Sequence, residues 1–333
     1  NPHLQARLLG HQVPPPMRLS IFPVDSFDIP GPARKPLTNT QTKAVRAALT
    51  DPLVILQGPP GTGKTKTAVT IVYHLVHQRR GTVLVCTGSN PAATHIAAEI
   101  AAAGIKVVRF VAPQSRARVP VPAHLSVDNF AKPSPALATL QAALTRAGWL
   151  PPDQKAKYQK LQQESYLEAL KAVSVVVCTC SASAQSQLSG LTFKHVLIDE
   201  AGQVTEPLTL IPVVKGCQSL VLVGDHKQLP PLVKCTEAKH AGLEVSLFER
   251  MAKAHPHDLH FLDVQHRMHS ALSDAPNNAF YDGQISDADD IDEIRRSSIA
   301  FPWPTSKPLL FWHHDGPEMR AASSNSYFNA TEA

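Results

Sequence analysis

The sequence predicts an α/β fold: a parallel sheet with a phosphate-binding loop at its carboxyl edge. Three observations carry that prediction. Residues 53–67 read LVILQGPPGTGKTKT, an apolar run, a Gly-rich loop and the start of a helical apolar pattern. Further short runs recur as TVLVCT (82–87), KVVRFV (106–111), SVVVC (174–178), HVLI (195–198) and SLVLV (219–223), most of them followed by turn or helix-forming residues. Unalternated apolar runs of this length suit strands covered on both faces. The HVLI run delivers two adjacent acids, Asp199 and Glu200, at its end.

Gly58, Pro59, Pro60, Gly61, Thr62, Gly63, Lys64 and Thr65 match G-x-x-x-x-G-K-[ST] between a strand and a helix, the context that motif requires. Glycines let backbone N–H groups curl round a phosphate, and the helix that follows adds its positive dipole end. Lys64 is expected to reach the β- and γ-phosphates and Thr65 to ligand Mg²⁺. Successive side chains on an extended backbone diverge. Asp199 is therefore expected to hold Mg²⁺ and Glu200 to orient and deprotonate an attacking water. That pair favours hydrolysis over transfer to a small molecule.

The chain has 333 residues, 43% hydrophobic, with a formal charge of +5 and 16 histidines. The length suits roughly two domains. The mild basicity is compatible with a polyanionic partner without requiring one. Cys86, Cys178, Cys180, Cys217 and Cys235 include no C-x-x-C pair, so they read as buried thiols rather than a zinc or disulfide framework. No apolar run approaches the roughly 18 residues of a membrane span, and no signal-peptide pattern opens the chain. A piece of a longer protein is the expectation.

In chain order, 1–36 is proline-rich without period and reads as a linker or the tail of an upstream domain. Residues 37–49 (LTNTQTKAVRAAL) read as a helix capped by Thr38 or Thr40, with Gln41 in its first turn. A primary amide offers the donor and acceptor that an adenine edge requires. After the 82–87 strand, Gly88, Ser89, Asn90 and Pro91 precede an Ala-rich helix. Small polar residues there make a site for another phosphate, or a plain βα turn. Residues 112–172 break the rhythm and read as a helical insertion, with helices at 135–147 and 153–171. Lys155, Lys157, Lys160 and Lys171 there form either a solvated face or a nucleic-acid contact. After the 219–223 strand, Gln228 can sense a γ-phosphate and Pro230-Pro231 can relay that state. Residues 261–264 (FLDV) open a new apolar run, 286–296 reads as an exposed acidic loop, and 308–312 (PLLFW) as a last strand. The histidines at 255, 257, 260, 266 and 269 share no helical face and suggest no metal site.

The ordered segments LTNTQ, GPPGTGKT, VLVCTGSNPA, VVVCTCSASA, VLIDEAGQVTEP, LVLVGDHKQLPP, SLFERM, QHRMHS, FYDGQI and SYFNATEA together resemble the superfamily 1B helicases, most closely those of the up-frameshift type that act on RNA in nonsense-mediated decay. The resemblance runs from about residue 37 to residue 333. It implies two RecA-like domains that clasp ATP and Mg²⁺ and move 5′-to-3′ on single-stranded nucleic acid. The expected division is a tail at 1–36, a first RecA-like domain at 37–255 with the insertion at 112–172, and the start of a second at 256–333. The implied catalytic residues are Lys64, Asp199, Glu200, Gln228 and Arg267, the last as a transition-state arginine. The nucleotide would meet Gln41, residues 58–65, Lys66 and His266. The strand would meet Ser89, Asn90, Pro91, Thr179 and Pro230.

Two positions depart from the family. His266 stands where the family usually stacks Tyr on adenine, so weaker nucleotide binding is expected. Ser270 stands where the family commonly has Pro. Motifs that grip phosphate and sugar leave RNA and DNA both open. A nucleotide-binding scaffold without turnover is the third reading, because the family's later motifs would lie beyond residue 333. The resemblance also implies protein partners in mRNA decay. A monomer is expected, resident in the cytoplasm or else the nucleus, with no membrane partner. The stretch 256–333 is expected to be an incomplete sheet with exposed edges.

Overall fold

The computed structural model describes residues 1–11, 27–29, 36–78, 81–297, 303, 308–313, 315–320 and 327–331. The described chain divides into two compact units, 1–266 and 267–333.

The first unit is a seven-stranded parallel sheet. Its strands are β1 (Leu53–Gln57), β2 (Val83–Thr87), β3 (Val107–Arg109), β4 (Val175–Thr179), β5 (His195–Asp199), β6 (Ser219–Gly224) and β7 (Leu259–Phe261). They lie in the order β3-β4-β2-β5-β6-β1-β7. All residues of β1, β2, β4, β5 and β6 are buried, which is why these segments read as unbroken apolar runs. The period of two survives in which face each residue serves. Leu53, Ile55, Leu84, Cys86, Leu220 and Leu222 enter one core. Val54, Leu56, Val83, Val85, Val221 and Val223 enter the other. Each such aliphatic side chain contributes about 1.5–3 kcal/mol by leaving water.

The helices are α1 (Pro2–Leu8), α2 (Asn39–Thr50), α3 (Lys64–Gln78), α4 (Asn90–Ala102), α5 (Val127–Phe130), α6 (Pro135–Ala147), α7 (Pro152–Lys171), α8 (Glu206–Val213), the short α9 (Thr236–Ala238) and α10 (Leu247–Ala254). The α2, α3 and α4 helices cover one face of the sheet, and α1, α7 and α10 pack on the other. The α2 start has a full capping box: the Thr38 hydroxyl accepts from the Gln41 N–H, and the Gln41 side chain accepts from the Thr38 N–H. Within 112–172, α6 and α7 lie close to the bounds read from the pattern. Cys86, Cys178, Cys180 and Cys217 are buried free thiols, while Cys235 is exposed.

Four expectations need correction. Residues 2–8 are not linker. They form α1, capped by Asn1, because Leu4 and Leu8 close the core and Arg7 pairs with Asp258. The first unit does not stop at residue 255. The β7 strand pairs in parallel with β1 and belongs to the first sheet. The apolar LHFL stretch covers that edge, with Leu262 buried in the core. Residues 286–296 are not a loop throughout, since a helix begins at Ile291 and Ile291 is buried. Residues 308–312 are not a strand, and Phe311 and Trp312 there are exposed.

The second unit holds α11 (Ser270–Phe280) and α12 (Ile291–Ser297). Ser270, the departure noted above, joins them. Its N–H and hydroxyl both donate to Asp292, at 2.7 and 2.6 Å. Proline at this position would lack both donors. Met319–Arg320 pairs antiparallel with Tyr327–Phe328 in a two-residue ladder, all four residues exposed.

Candidate nucleotide and nucleic-acid sites

The strand order explains the site. The β6 strand is inserted between β1 and β5, and all three run in the same direction. The loops after them therefore open at one end of the sheet, where α/β proteins bind ligands. These are the phosphate loop after β1, the Asp199–Glu200 turn after β5 and the 225–231 loop after β6.

The phosphate loop is held from several directions. The Gly58 N–H donates to the Gly224 carbonyl at 3.0 Å. The Thr62 hydroxyl donates to the Pro59 carbonyl at 2.8 Å. Lys64 Nζ donates across the loop to the Gly58 carbonyl at 2.7 Å, and α3 begins at Lys64. Gly63 has φ +81°, and a Cβ there would lie 2.6 Å from Gln41 Nε2. Thr65 is half-buried in the first turn of α3.

Gln41 is 1% exposed. Its Oε1 accepts from Thr38 and its Nε2 donates to the Thr62 carbonyl at 2.9 Å. The amide therefore clamps the phosphate loop to α2, where the sequence reading had it presenting an edge to a base. Lys66 Nζ donates to the Pro36 carbonyl at 2.9 Å. The His266 N–H donates to the Gly61 carbonyl at 2.9 Å, which sets this half-buried residue beside the loop. Arg267 is exposed and belongs to the second unit.

Asp199 is 5% exposed at the end of β5. Burial, then the neighbouring Glu200, push its carboxyl up to about 7, against the opposing pull of the Glu200 N–H and the Lys64 charge. An acid so displaced is one that a divalent cation would relieve. With the Thr65 hydroxyl it supplies the hard oxygen donors that Mg²⁺ prefers, so the residues fit that ion. Glu200 has φ +54°, a left-handed backbone that costs a side-chain-bearing residue of order 1 kcal/mol.

The third loop contains a residue that sequence reasoning passed over. Asp225 is 3% exposed. Its carboxylate accepts from Gln57 Nε2 at 3.1 Å, Gln228 Nε2 at 2.9 Å and the Lys227 N–H at 3.1 Å. It ties Gln228 to the end of β1. The only signal in the sequence was a Gly-Asp pair closing an apolar run. Gly224 is needed here for close approach, since a Cβ would lie 2.8 Å from the Gly202 nitrogen.

The residues expected to meet a strand fall into two places. Thr87 and Thr179 are in register on β2 and β4. The Thr87 hydroxyl donates to the Ser89 carbonyl at 2.7 Å, which brings Ser89, Asn90 and Pro91 beside Thr179. Ser89 caps α4. Thr179 is buried, its hydroxyl accepting from the Ala182 N–H at 3.2 Å. Pro230 is exposed on the loop after β6, with β5 between it and that cluster. Behind Asn90 lies Arg109, 2% exposed, whose guanidinium donates to Asn90 Oδ1 at 2.7 Å and to the Phe110 carbonyl. Burial pulls its pKa down, with the Cys178 and Cys86 thiols opposing. In the sequence Arg109 was one charge inside an apolar run.

Two family models, each described as an AAA domain, match this chain, one over 36–142 and 152–236 and the other over 243–333. The chain is 40% identical over 338 residues to the regulator of nonsense transcripts 1 homolog of Arabidopsis thaliana, covering 99% of this chain and 27% of that protein. It is 40% identical over 341 residues to regulator of nonsense transcripts 1 of Caenorhabditis elegans, covering 100% of this chain and 31% of that one. It is 38% identical over 344 residues to ATP-dependent helicase NAM7 of Saccharomyces cerevisiae, covering 99% and 34%. The chain thus spans about a third or less of these relatives' length.

Proposed function

The chain belongs to the AAA-domain family, within its Upf1-like superfamily 1 helicases, and from that premise we propose that it hydrolyses ATP to move 5′-to-3′ along single-stranded RNA. The observation that carries this is the convergence of three loops at one sheet end: a clamped phosphate loop, a buried acid followed by a second acid, and a glutamine tethered by Asp225.

Each residue then has a task. Backbone N–H groups of 61–65 and the α3 N-terminus bind the phosphates. Lys64 exchanges the Gly58 carbonyl for a phosphate oxygen. Thr65 and Asp199 would hold Mg²⁺, which would supply neutralising charge to the phosphates. Glu200 orients the water and takes its proton. Gln228, fixed through Asp225, senses whether a γ-phosphate is present. His266 packs beside the base, and Gln41 keeps the loop in its binding shape. Arg267 supplies positive charge to the transition state. Ser89, Asn90, Pro91 and Thr179 meet the RNA backbone, and Pro230 carries the nucleotide state towards it. The setting is remodelling of RNA–protein complexes in cytoplasmic mRNA surveillance, by a monomer that works with other proteins of that process.

The test is ATP turnover with and without matched single-stranded RNA and DNA oligomers, beside Lys64→Ala. The expected outcome is RNA-stimulated turnover that falls at least about 100-fold in the variant, in line with loss of transition-state charge stabilisation. Turnover that persists in Lys64→Ala would sink the assignment. Equal or better stimulation by DNA would favour a DNA helicase. Nucleotide binding without turnover would favour a scaffold.

A further inference from the structure

A cavity of 520 Å³ opens between the first two turns of α4 and the 118–120 segment of the insertion. We propose that it is an accessory subsite that takes one nucleotide of the bound single strand, its base in the cavity and its phosphate on Arg118. The inference rests on the RNA reading above and extends the track beyond the residues that reading uses.

The size lies in the range of about 300–1,000 Å³ typical of small-molecule sites. The lining suits a nucleotide. Pro91, Thr94, Val119 and Pro120 give it apolar walls, and His95 offers an exposed ring. Among the described residues no carboxylate lines it. Arg118 is exposed at the rim, and among the described residues its side chain has no ion pair or hydrogen bond. Asn90 belongs both to this wall and to the cluster beside Thr179. A strand that meets Ser89 and Asn90 therefore passes the cavity mouth.

The walls are fixed in advance. Arg109 donates to Asn90 Oδ1, which orients that amide. The buried guanidinium has no carboxylate partner among the described residues, so its charge adds to the positive end of the α4 dipole. The segment that carries Arg118 is pinned two residues earlier. Arg116 donates to the Tyr166 hydroxyl at 2.9 Å and lies over the Tyr166 ring at 4.8 Å. The Tyr166 hydroxyl donates to Asp128 at 2.6 Å. A cationic rim, apolar walls and little ordering left to do are what a stacked base and its phosphate require.

The test is binding of a fluorescent single-stranded RNA to the wild type, Arg118→Glu and Thr94→Phe across a salt series. Arg146→Glu serves as control, making the same charge change on the exposed C-terminal turn of α6. Thermal melting of each variant reports folding. An abasic nucleotide is then scanned along the oligomer. We expect Arg118→Glu to weaken binding about tenfold, as loss of a charged hydrogen bond does, and to reduce the salt slope by about one. Thr94→Phe should abolish a penalty that the wild type shows at one abasic position, and Arg146→Glu should bind as the wild type does. If the wild type binds RNA and Arg118→Glu binds equally well, the subsite is overturned and the RNA reading stands. An Arg118→Glu loss with no sensitive abasic position overturns it too, since that describes a phosphate contact without a base. Failure of the wild type to bind RNA removes both.

Discussion

At the scale of single residues, the site depends on positions whose chemistry the sequence displays and on others whose partners only the fold supplies. Gly63 shows how tightly the loop is set. Its φ is +81°, and any Cβ would press on Gln41 Nε2. Gly63→Ala is therefore expected to lose about 1–3 kcal/mol of stability through backbone strain and a displaced clamp. Nucleotide affinity should fall with it, because Gln41 then releases the Thr62 carbonyl. Urea denaturation and calorimetric nucleotide titration check the two effects, and an unchanged midpoint would show that the loop relaxes without cost. The placement of Lys64, Asp199 and Glu200 at one end of the sheet was legible because motif spacing on a strand–loop–helix frame leaves few alternatives. Asp225 and Arg109 were not. Their importance lies in hydrogen bonds to Gln228 and Asn90 that depend on strand order, and no local pattern encodes strand order. Gln41 was half legible: its position was readable, but its donor and acceptor meet protein groups placed by the capping box and the loop.

At the scale of elements, pairings distant in sequence decide which segments are ordered. Arg250 on α10 donates through Nε and NH2 to the two carboxylate oxygens of Glu206 on α8, both at 2.8 Å, and through NH2 to the Leu8 carbonyl at the end of α1. One guanidinium thus latches three helices. Both side chains are partly solvated, so the pair is expected to be worth about 1 kcal/mol despite its bidentate geometry. A double-mutant cycle of Glu206→Gln and Arg250→Gln in urea measures that coupling. Arg250→Gln alone should cost more and should speed amide exchange in residues 2–8. Coupling near zero, or no local change in exchange, would mean that Leu4 and Leu8 hold α1 without the latch. This also accounts for what pattern reading missed. The α1 helix has only seven residues, too few for a period, and its order comes from burial against elements more than 200 residues away. The β7 strand has three half-buried residues, and it is a strand because β1 offers an unpaired edge.

At the scale of the whole molecule, the protonation balance of the folded chain sets how stability responds to acid. Burial lowers the pKa of His74, His226 and His260 below the ordinary 6.5. Each is held neutral in the fold and titrates near 6.5 once unfolded. The unfolded chain therefore binds more protons below that pH. The stability these residues allow is present in full above about 6.5 and is lost as pH falls towards their folded values. Asp199, raised to about 7 by burial and by Glu200, acts with the opposite sign, since its neutral form is favoured in the fold. A bare melting profile would mix the two, so the informative quantity is a difference. His74 stands edge-on to Phe27, with ring centroids 5.2 Å apart, and its Nε2 is buried without a partner among the described residues. Phenylalanine keeps an aromatic ring there and has no proton to gain, but gives up the hydrogen bond of His74 to the Phe27 backbone, so the slope with pH, not the offset, is the quantity to read. The stability of His74→Phe minus that of the wild type should therefore rise as pH is lowered from about 7.5 to about 5.5, with Asp199 cancelling between the two proteins. The rise should approach 1.4 kcal/mol for each pH unit over which only the unfolded histidine is charged. A difference that stays flat across that range would mean that the folded His74 titrates as it does in the unfolded chain, and that its burial among aromatic rings does not exclude the proton.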